Sequence, residues 1–311
     1  MINKIWYGKH VLAWLLYPLA LIYRLIAWVR RWLLINFKQT VFDVPVIVVG
    51  NLTVGGVGKT PLVIALAEHL GKRGLRVGIV SRGYGARIKH YPYEIRLEDP
   101  ARVVGDEPLL LAKKTSCPVV IAPNRVDAVD YLLKKHQVDV VLSDDGLQHY
   151  KLARAIEIVV IDAKRGFGNG LCLPAGPLRE PKKRMQHVDF VVVNGDNWPL
   201  AYQMDLVPGK IDPEPLPQNT SIAAFAGIGH PERFFDTLTN LGIKHKPYRF
   251  SDHHRFVPKD FDIPEDVIIM TEKDAIKCHT FLNKPMYILP VRAEIKDNFW
   301  ERLDAHDCFQ K

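Results

Sequence analysis

From Pro45 onward the chain alternates short β-branched runs with stretches of helical periodicity. The runs VIVVG (46–50), RVGIVS (76–81), PVVIA (118–122), VDVVLS (138–143), EIVVID (157–162) and DFVVVN (189–194) are almost continuously apolar, as strands are when both faces of their sheet are covered. Between them, 60–73, 107–115, 124–136 and 178–186 predict helices, so the expected core is an α/β fold with a parallel, P-loop NTPase-like sheet. Residues 208–217, PGKIDPEPLP, hold four prolines and no periodicity and read as a linker. A second, smaller α/β/α unit is expected beyond it, from SIAAFAGI (221–228), a helix from Glu232 to Leu241, VIIMT (267–271), a helix beginning near Lys273, and MYILPV (286–291). The expected order is a helical segment over 1–40, a core over 41–207, a linker over 208–220 and the smaller unit over 221–311.

The N-terminus follows another pattern. Residues 11–23, VLAWLLYPLALIY, are apolar throughout, but Arg24 interrupts the run, and Arg30 and Arg31 end the LIAWV stretch after it. A comfortable membrane span needs about 20 apolar residues. Trp6, Trp14, Trp28, Trp32, Tyr17 and Tyr23 accompany the arginines, a mixture suited to the headgroup boundary. The pattern predicts a pair of basic interfacial helices, with Pro18 marking a kink or break. A cleaved signal peptide lacks its small-x-small site here. A single span stretched through Arg24 would also fit the run, as would a helix buried on the core.

Charge sharpens this picture. The net +8 is concentrated: residues 1–42 hold Lys4, Lys9, Arg24, Arg30, Arg31 and Lys38 and no acid. Basic charge beside apolar and aromatic residues points to an anionic membrane surface, not to nucleic acid. A hydrophobic share of 48% over 311 residues is enough for a full core and excludes disorder. Cys117, Cys172, Cys278 and Cys308 form no C-x-x-C pair, so neither a zinc site nor a disulfide framework is expected, and a reducing cytosol fits.

The segment VIVVGNLTVGGVGKTPLVIALAEHL reads strand, glycine-rich turn, helix, the context a Walker A loop requires. Over Thr53, Val54, Gly55, Gly56, Val57, Gly58, Lys59 and Thr60, the glycines let backbone N–H groups turn inward on phosphate oxygens, Lys59 adds a full charge, and Thr60 offers its hydroxyl to Mg²⁺. Thr53 stands where the generic pattern has its first glycine. Val54 replaces the lysine that deviant Walker ATPases carry before GGxGKT, and no N-K-x-D string marks a GTPase.

VDVVLS runs into Asp144 and Asp145, at the sheet edge where ligands of open α/β folds bind. Asp144 is preferred as the acid holding Mg²⁺; alternatively Asp145 and Gly146 make an ordinary turn. A kinase must also take the proton of an acceptor alcohol. Asp106, in VGDEPLL, is the candidate, and a helix N-cap is its structural alternative. Arg82, Arg125 and Arg179 could neutralise phosphate, and His253 or His254 could polarise Asp106 from the second unit.

Together GNLTVGGVGKTP, SRGYG, VGDEP, SDDGLQH, LPAGPLRE, SDHHRF and TEKDAIK, in this order from 50 to 277, resemble the tetraacyldisaccharide 4′-kinase family. The resemblance implies transfer of the γ-phosphate of ATP, with Mg²⁺, to the 4′-hydroxyl of a tetraacylated glucosamine disaccharide 1-phosphate, the lipid A precursor. It also implies a catalytic pair of Asp106 and His253, a metal and phosphate region at Asp144 and Asp145, and substrate or ATP surroundings at Tyr84, Arg125, His149, Arg179 and Glu180. The implied location is the cytoplasmic face of the bacterial inner membrane, peripheral or monotopic. From a different class, a membrane-associated P-loop ATPase that couples hydrolysis to partner assembly would share the loop and the basic N-terminus.

Overall fold

The computed structural model of the protein describes residues 2–8, 10–195, 198–217, 219–278, 284–296 and 298–310. Lys9, counted above in the basic N-terminal cluster, lies outside them. The strands are β1 Val46–Gly50, β2 Val77–Ser81, β3 Tyr93–Glu94, β4 Val119–Ile121, β5 Val140–Asp144, β6 Ile156–Asp162, β7 Phe190–Asn194, β8 Tyr202–Pro208, β9 Ile222–Ala226, β10 Lys246–Arg249, β11 Val267–Thr271, β12 Met286–Leu289 and β13 Val291–Ile295. The helices are α1 Ile2–Tyr7, α2 Leu12–Phe37, α3 Lys59–Lys72, α4 Ala101–Val104, α5 Asp106–Lys114, α6 Arg125–Lys135, α7 Pro231–Asn240, α8 Glu272–Ala275 and α9 Phe299–Asp304.

The large sheet runs β13-β8-β7-β6-β1-β5-β2-β4-β3, parallel from β8 to β4, with an antiparallel strand at each edge. Every residue of β1, β2, β5 and β6 is buried, which is why these segments are β-branched and lack alternation. Helix α3 lays Leu62, Val63, Leu66 and Leu70 on one face of the sheet and buries all of them completely. Ala128, Val129 and Leu132 of α6 cover the other face. The C-terminal ends of β1, β5, β6 and β7 therefore share one edge, and the site assembles there.

The smaller sheet, β10-β9-β11-β12, is wholly parallel. Phe234, Phe235 and Leu238 of α7 pack on one face, and Phe256, Phe261 and Cys278 on the other. Three expectations need correction. MYILPV is not one strand: Pro290 offers no N–H, and beyond it β13 crosses back to pair with β8, so β13 and α9, with Phe299 and Leu303 in the large core, rejoin the large unit instead of ending the small one. No α-helix covers 178–186, because Leu178 bridges to Thr53 and Cys172 and Pro181 admits only a 3₁₀ turn over Lys182–His187. Nor does Pro18 break α2, which runs for 26 residues; the proline forfeits one rung of the ladder and its neighbours carry the helix through.

Candidate active site

The turn after β1 is held by a residue without a role in the sequence reading. Asn51, fully buried, donates through Nδ2 to the carbonyls of Thr53 at 2.7 Å and Gly55 at 3.2 Å, and its Oδ1 accepts from Lys59 Nζ at 3.2 Å. One side chain thus ties the loop to its own lysine. Gly58 sits at φ +95°, and a Cβ there would come within 2.5 Å of Asn194 Nδ2, so only glycine lets the chain enter α3 at this point. Thr53 keeps a negative φ and bridges to Leu178. Its position needs no left-handed backbone, which explains why the missing first glycine is tolerated.

At the end of β5 two adjacent carboxylates are set apart by environment. Asp144 is buried; Ser81 Oγ donates to its Oδ2 at 3.3 Å, while its Oδ1 has no hydrogen-bond partner among the described residues. Burial, then the charges of Glu107 and Asp145, push its pKa up. Asp145 turns at φ +47° to face Lys59 Nζ and Arg179 Nη1, each 3.3 Å from its Oδ1. Burial works against its charge, but Lys59 and Arg179 hold it down at about 2. The Asp145-Gly146 turn and the phosphate-side acid are therefore one feature.

A third carboxylate stands at the start of α5. Gly105, at φ +94°, approaches the Tyr84 carbonyl so closely that a Cβ would stand 2.9 Å from it, and this close approach sets Asp106 into the first turn of α5. Asp106 is buried, with its Oδ1 and Oδ2 at 3.1 and 3.0 Å from Nδ1 of His253. Burial alone would raise its pKa; the His253 hydrogen bond and the Lys273 and Lys277 charges outweigh it and bring the group to about 2. His253 holds a left-handed φ of +58°, rare for a side chain of this size, and its N–H donates to the Gly227 carbonyl at 3.2 Å. His254 points elsewhere: its Nε2 is 2.9 Å from Asp260 Oδ2, and its ring packs against Phe250 and Phe256. Geometry selects His253.

Of the remaining sequence candidates, Tyr84 is exposed, with its ring 5.2 Å from that of His253, and Arg179 faces Asp145 as described. Arg82 is exposed. Arg125 is buried, and its guanidinium donates to the carbonyls of Ala122, Asp144 and Asp145 at 3.1, 3.2 and 3.4 Å. Burial pushes it down to about 10, and it braces the acidic turn. His149 is likewise occupied, its Nε2 accepting from the Arg125 N–H at 3.1 Å, with burial and then Arg125 holding it down at about 4. Glu180 is buried, accepting from Tyr150 and from Gln148 Nε2. These side chains shape the site from behind.

The cleft between the two sheets encloses a cavity of about 210 Å³, lined by Gly56–Thr60, Glu107, Asp162, Asn194, Gly229, Arg233 and Lys273 among others. Arg233 reaches from α7 to Asp162, at the end of β6, over 3.5 Å. Asp162, Asn194 and Arg233 carried no sequence signal, since each acts as the last residue of a strand or from the far unit.

A nucleotide-holding loop by itself would serve a switch or a motor; set against a carboxylate–imidazole pair it can serve an acceptor hydroxyl as well. Both halves are needed for phosphoryl transfer, and by class the chain is a P-loop kinase. The family model for the tetraacyldisaccharide-1-P 4′-kinase matches residues 12–307, and the chain belongs to that family. The Tetraacyldisaccharide 4′-kinase of Legionella pneumophila (strain Lens) is 54% identical over 316 residues, covering 99% of this chain and 98% of that one. Its counterpart in Hahella chejuensis (strain KCTC 2396) is 45% identical over 322 residues, covering 98% and 95%. The crystal structure of the “apo” form of LpxK from Aquifex aeolicus in complex with ATP superposes with a TM-score of 0.79 at 30% identity, covering 96% of this chain and all of that one.

Proposed function

We propose that the protein transfers the γ-phosphate of ATP to the 4′-hydroxyl of a tetraacylated glucosamine disaccharide 1-phosphate at the cytoplasmic surface of the inner membrane. One observation carries this reading: Asp106, paired with His253 of the other unit, is the immediate neighbour of Glu107, which lines one cavity together with Gly56–Thr60. The amides of Thr53–Thr60 cradle the triphosphate, and the Lys59 charge offsets the charge of its outer oxygens. A carboxylate held at about 2 is too weak a base to ionise an alcohol in advance. Asp106 instead orients the hydroxyl and takes its proton late, as the new P–O bond forms and ADP leaves. His253 keeps that carboxylate ionised and aimed until then.

The residues present fit a divalent cation. Asp144 has a buried oxygen without a partner, and Thr60 supplies a hydroxyl in the first turn of α3. No group of three or more His, Cys, Asp or Glu gathers here or elsewhere among the described residues, and Mg²⁺ characteristically takes only one or two carboxylates plus substrate phosphates. Bound there, Mg²⁺ would draw charge from the phosphoryl oxygens as they separate from ADP. The cavity, at about 210 Å³, is smaller than the roughly 300 Å³ at which small-ligand pockets begin, and Gly229 lies close against Gly56 at its wall.

Helix α2 supports the lipid half of the reading. It is long and apolar enough to cross a membrane, yet within it only Ala13 and Ala20 are buried, while Trp14, Leu15, Leu25, Ile26 and Trp28 are exposed. Its inner side is pinned beside the site, with Tyr23 donating to the Arg179 carbonyl at 3.0 Å and Arg30 to the Gln148 carbonyl at 3.4 Å. Acyl chains withdrawn from a bilayer cost about 0.8 kcal/mol per CH₂, and this face offers them cover beside the cleft. The test is to incubate the protein with labelled ATP, Mg²⁺ and a mixed-lipid extract. Label should appear on the tetraacylated disaccharide 1-phosphate, and less of it after residues 1–37 are removed. ATP hydrolysis indifferent to that lipid, with no lipid labelled, would overturn the reading.

A further inference from the structure

Lys273 stands where the two units meet, on the one-turn helix that follows β11. Its ammonium is largely buried and faces three groups at once: Glu107 Oε1 on α5 at 2.9 Å, Asp252 Oδ1 at 3.4 Å, and Nε2 of His253 at 3.4 Å. An ammonium has donors and no acceptor. Its approach to a ring nitrogen is therefore favourable only where that nitrogen keeps its lone pair. The other ring nitrogen lies against both oxygens of Asp106, and an ionised carboxylate only accepts. Both neighbours thus demand the same imidazole, protonated on Nδ1 and bare on Nε2.

The other groups around the ring show why this arrangement needs a keeper. Asp106 on α5 draws a second proton onto the ring, and Asp252 Oδ1, 3.8 Å from Nε2, would accept it. Lys277, past the end of α8, lies 4.0 Å from Asp106 Oδ2; Tyr84 contributes only its uncharged ring. Glu107 is occupied by Lys273 itself. On balance the hydrogen bond to Asp106 raises the His253 pKa above its ordinary value, against burial and the opposing charge of Lys273. Lys273 is thus the cation directed at Nε2, and it opposes full conversion to an imidazolium.

We propose that Lys273 is a positioning residue for phosphoryl transfer: anchored on Glu107 of the large unit, it donates to Nε2 of His253, fixes the Nδ1–H tautomer and aims that N–H at Asp106. A singly protonated ring leaves Asp106 with an oxygen lone pair free for the acceptor hydroxyl, whereas an imidazolium would hold the carboxylate in a tighter ion pair. Because Lys273 belongs to the small unit and Glu107 to the large one, the tautomer is set only where the units meet. Catalytic readiness is thereby tied to their approach.

This inference deepens the kinase reading, but its measurement needs neither ATP nor lipid. The full chain is labelled with ¹⁵N in its histidine rings, and the His253 signals are assigned by their loss in His253→Gln. At pH about 8.5, some two units above an ordinary imidazole, His253 should carry its proton on Nδ1, opposite to the Nε2–H form that free neutral imidazole side chains favour. In Lys273→Met, Nε2 should be protonated at the same pH and the titration midpoint should rise by about one unit. Lys273→Arg should restore the wild-type pattern. Glu107→Gln, which loosens the anchor and also removes its negative charge, should shift part of the ring to the Nε2–H form at the same pH, and it stands in should Lys273→Met not fold. In kinetics the methionine variant should lose about tenfold in kcat with KM for ATP retained, and its pH profile should move up with the ring. An Nε2–H tautomer in the wild type, or an unchanged tautomer and midpoint in the variants, would overturn the proposal. The expected spectra without phosphorylation of any lipid would leave this inference standing and sink the kinase reading instead.

Discussion

The two halves of the cleft are built in opposite ways. The nucleotide half is local: Asn51, the loop and Lys59 lie within one strand-turn-helix, and Asp145 comes from the strand next to β1. The acceptor half is distributed, since Asp106 and His253 are 147 positions apart and come from different units, the first on α5 and the second on a turn beyond β10. A local site is preorganised whenever the large sheet is folded. A distributed one exists only while the units are in register, and here Lys273–Glu107, Arg233–Asp162 and His253–Asp106 span the gap. With the roles proposed above, the enzyme would hold its nucleotide without having its base in place, a useful arrangement where wasteful transfer to water must be avoided.

Substitutions should separate the halves. The largest effect is expected for Asp106→Ala, which removes the proton acceptor and should lower kcat by about 10²–10⁴-fold while KM for ATP barely moves. If ATP binding were lost and kcat kept, Asp106 would belong to the nucleotide half. Next comes Lys59→Ala, expected to lower kcat by about 10²–10³-fold and, unlike the first, to weaken nucleotide binding measured directly by titration. Equal binding in both variants would erase the distinction between the halves.

The same contrast explains what the sequence could disclose. The phosphate loop was legible because its chemistry sits on consecutive residues, and Asp144–Asp145 because a continuous apolar run led straight to them. The strands of the large sheet were legible for the same reason, both of their faces being buried. Pairing Asp106 with one of two adjacent histidines was not legible from spacing: His253 and His254 differ only in backbone geometry, the first being left-handed and turned to the cleft, the second stacked among phenylalanines. Arg125, His149 and Glu180 are engaged with neighbouring protein groups, which no single sequence discloses. The return of the chain after Pro290 was hidden because the apolar run MYILPV carries β12 and the first residue of β13 across the change of sheet.

The smallest expected effect is on stability, and it tests the comparison without substrate, nucleotide or divalent ion. Asp106 and Asp145 both titrate at about 2 in the folded protein, below the roughly 3.9 of an unfolded aspartate. Each therefore contributes stability that is present above about pH 4 and lost as pH falls toward 2. Their partners differ. His253 is raised in the folded state, so its share of the attraction is complete below about pH 6.5 and disappears as pH rises through its folded value. The partners of Asp145 are Lys59 and Arg179, an ammonium and a guanidinium in place of an imidazole. Urea unfolding of the wild type, Asp106→Asn and Asp145→Asn at pH about 5 and about 9 should show the Asp106→Asn deficit shrinking by about 1 kcal/mol, while the Asp145→Asn deficit holds. Two deficits that moved together would mean that the acceptor half is no more dependent on an imidazole than the nucleotide half.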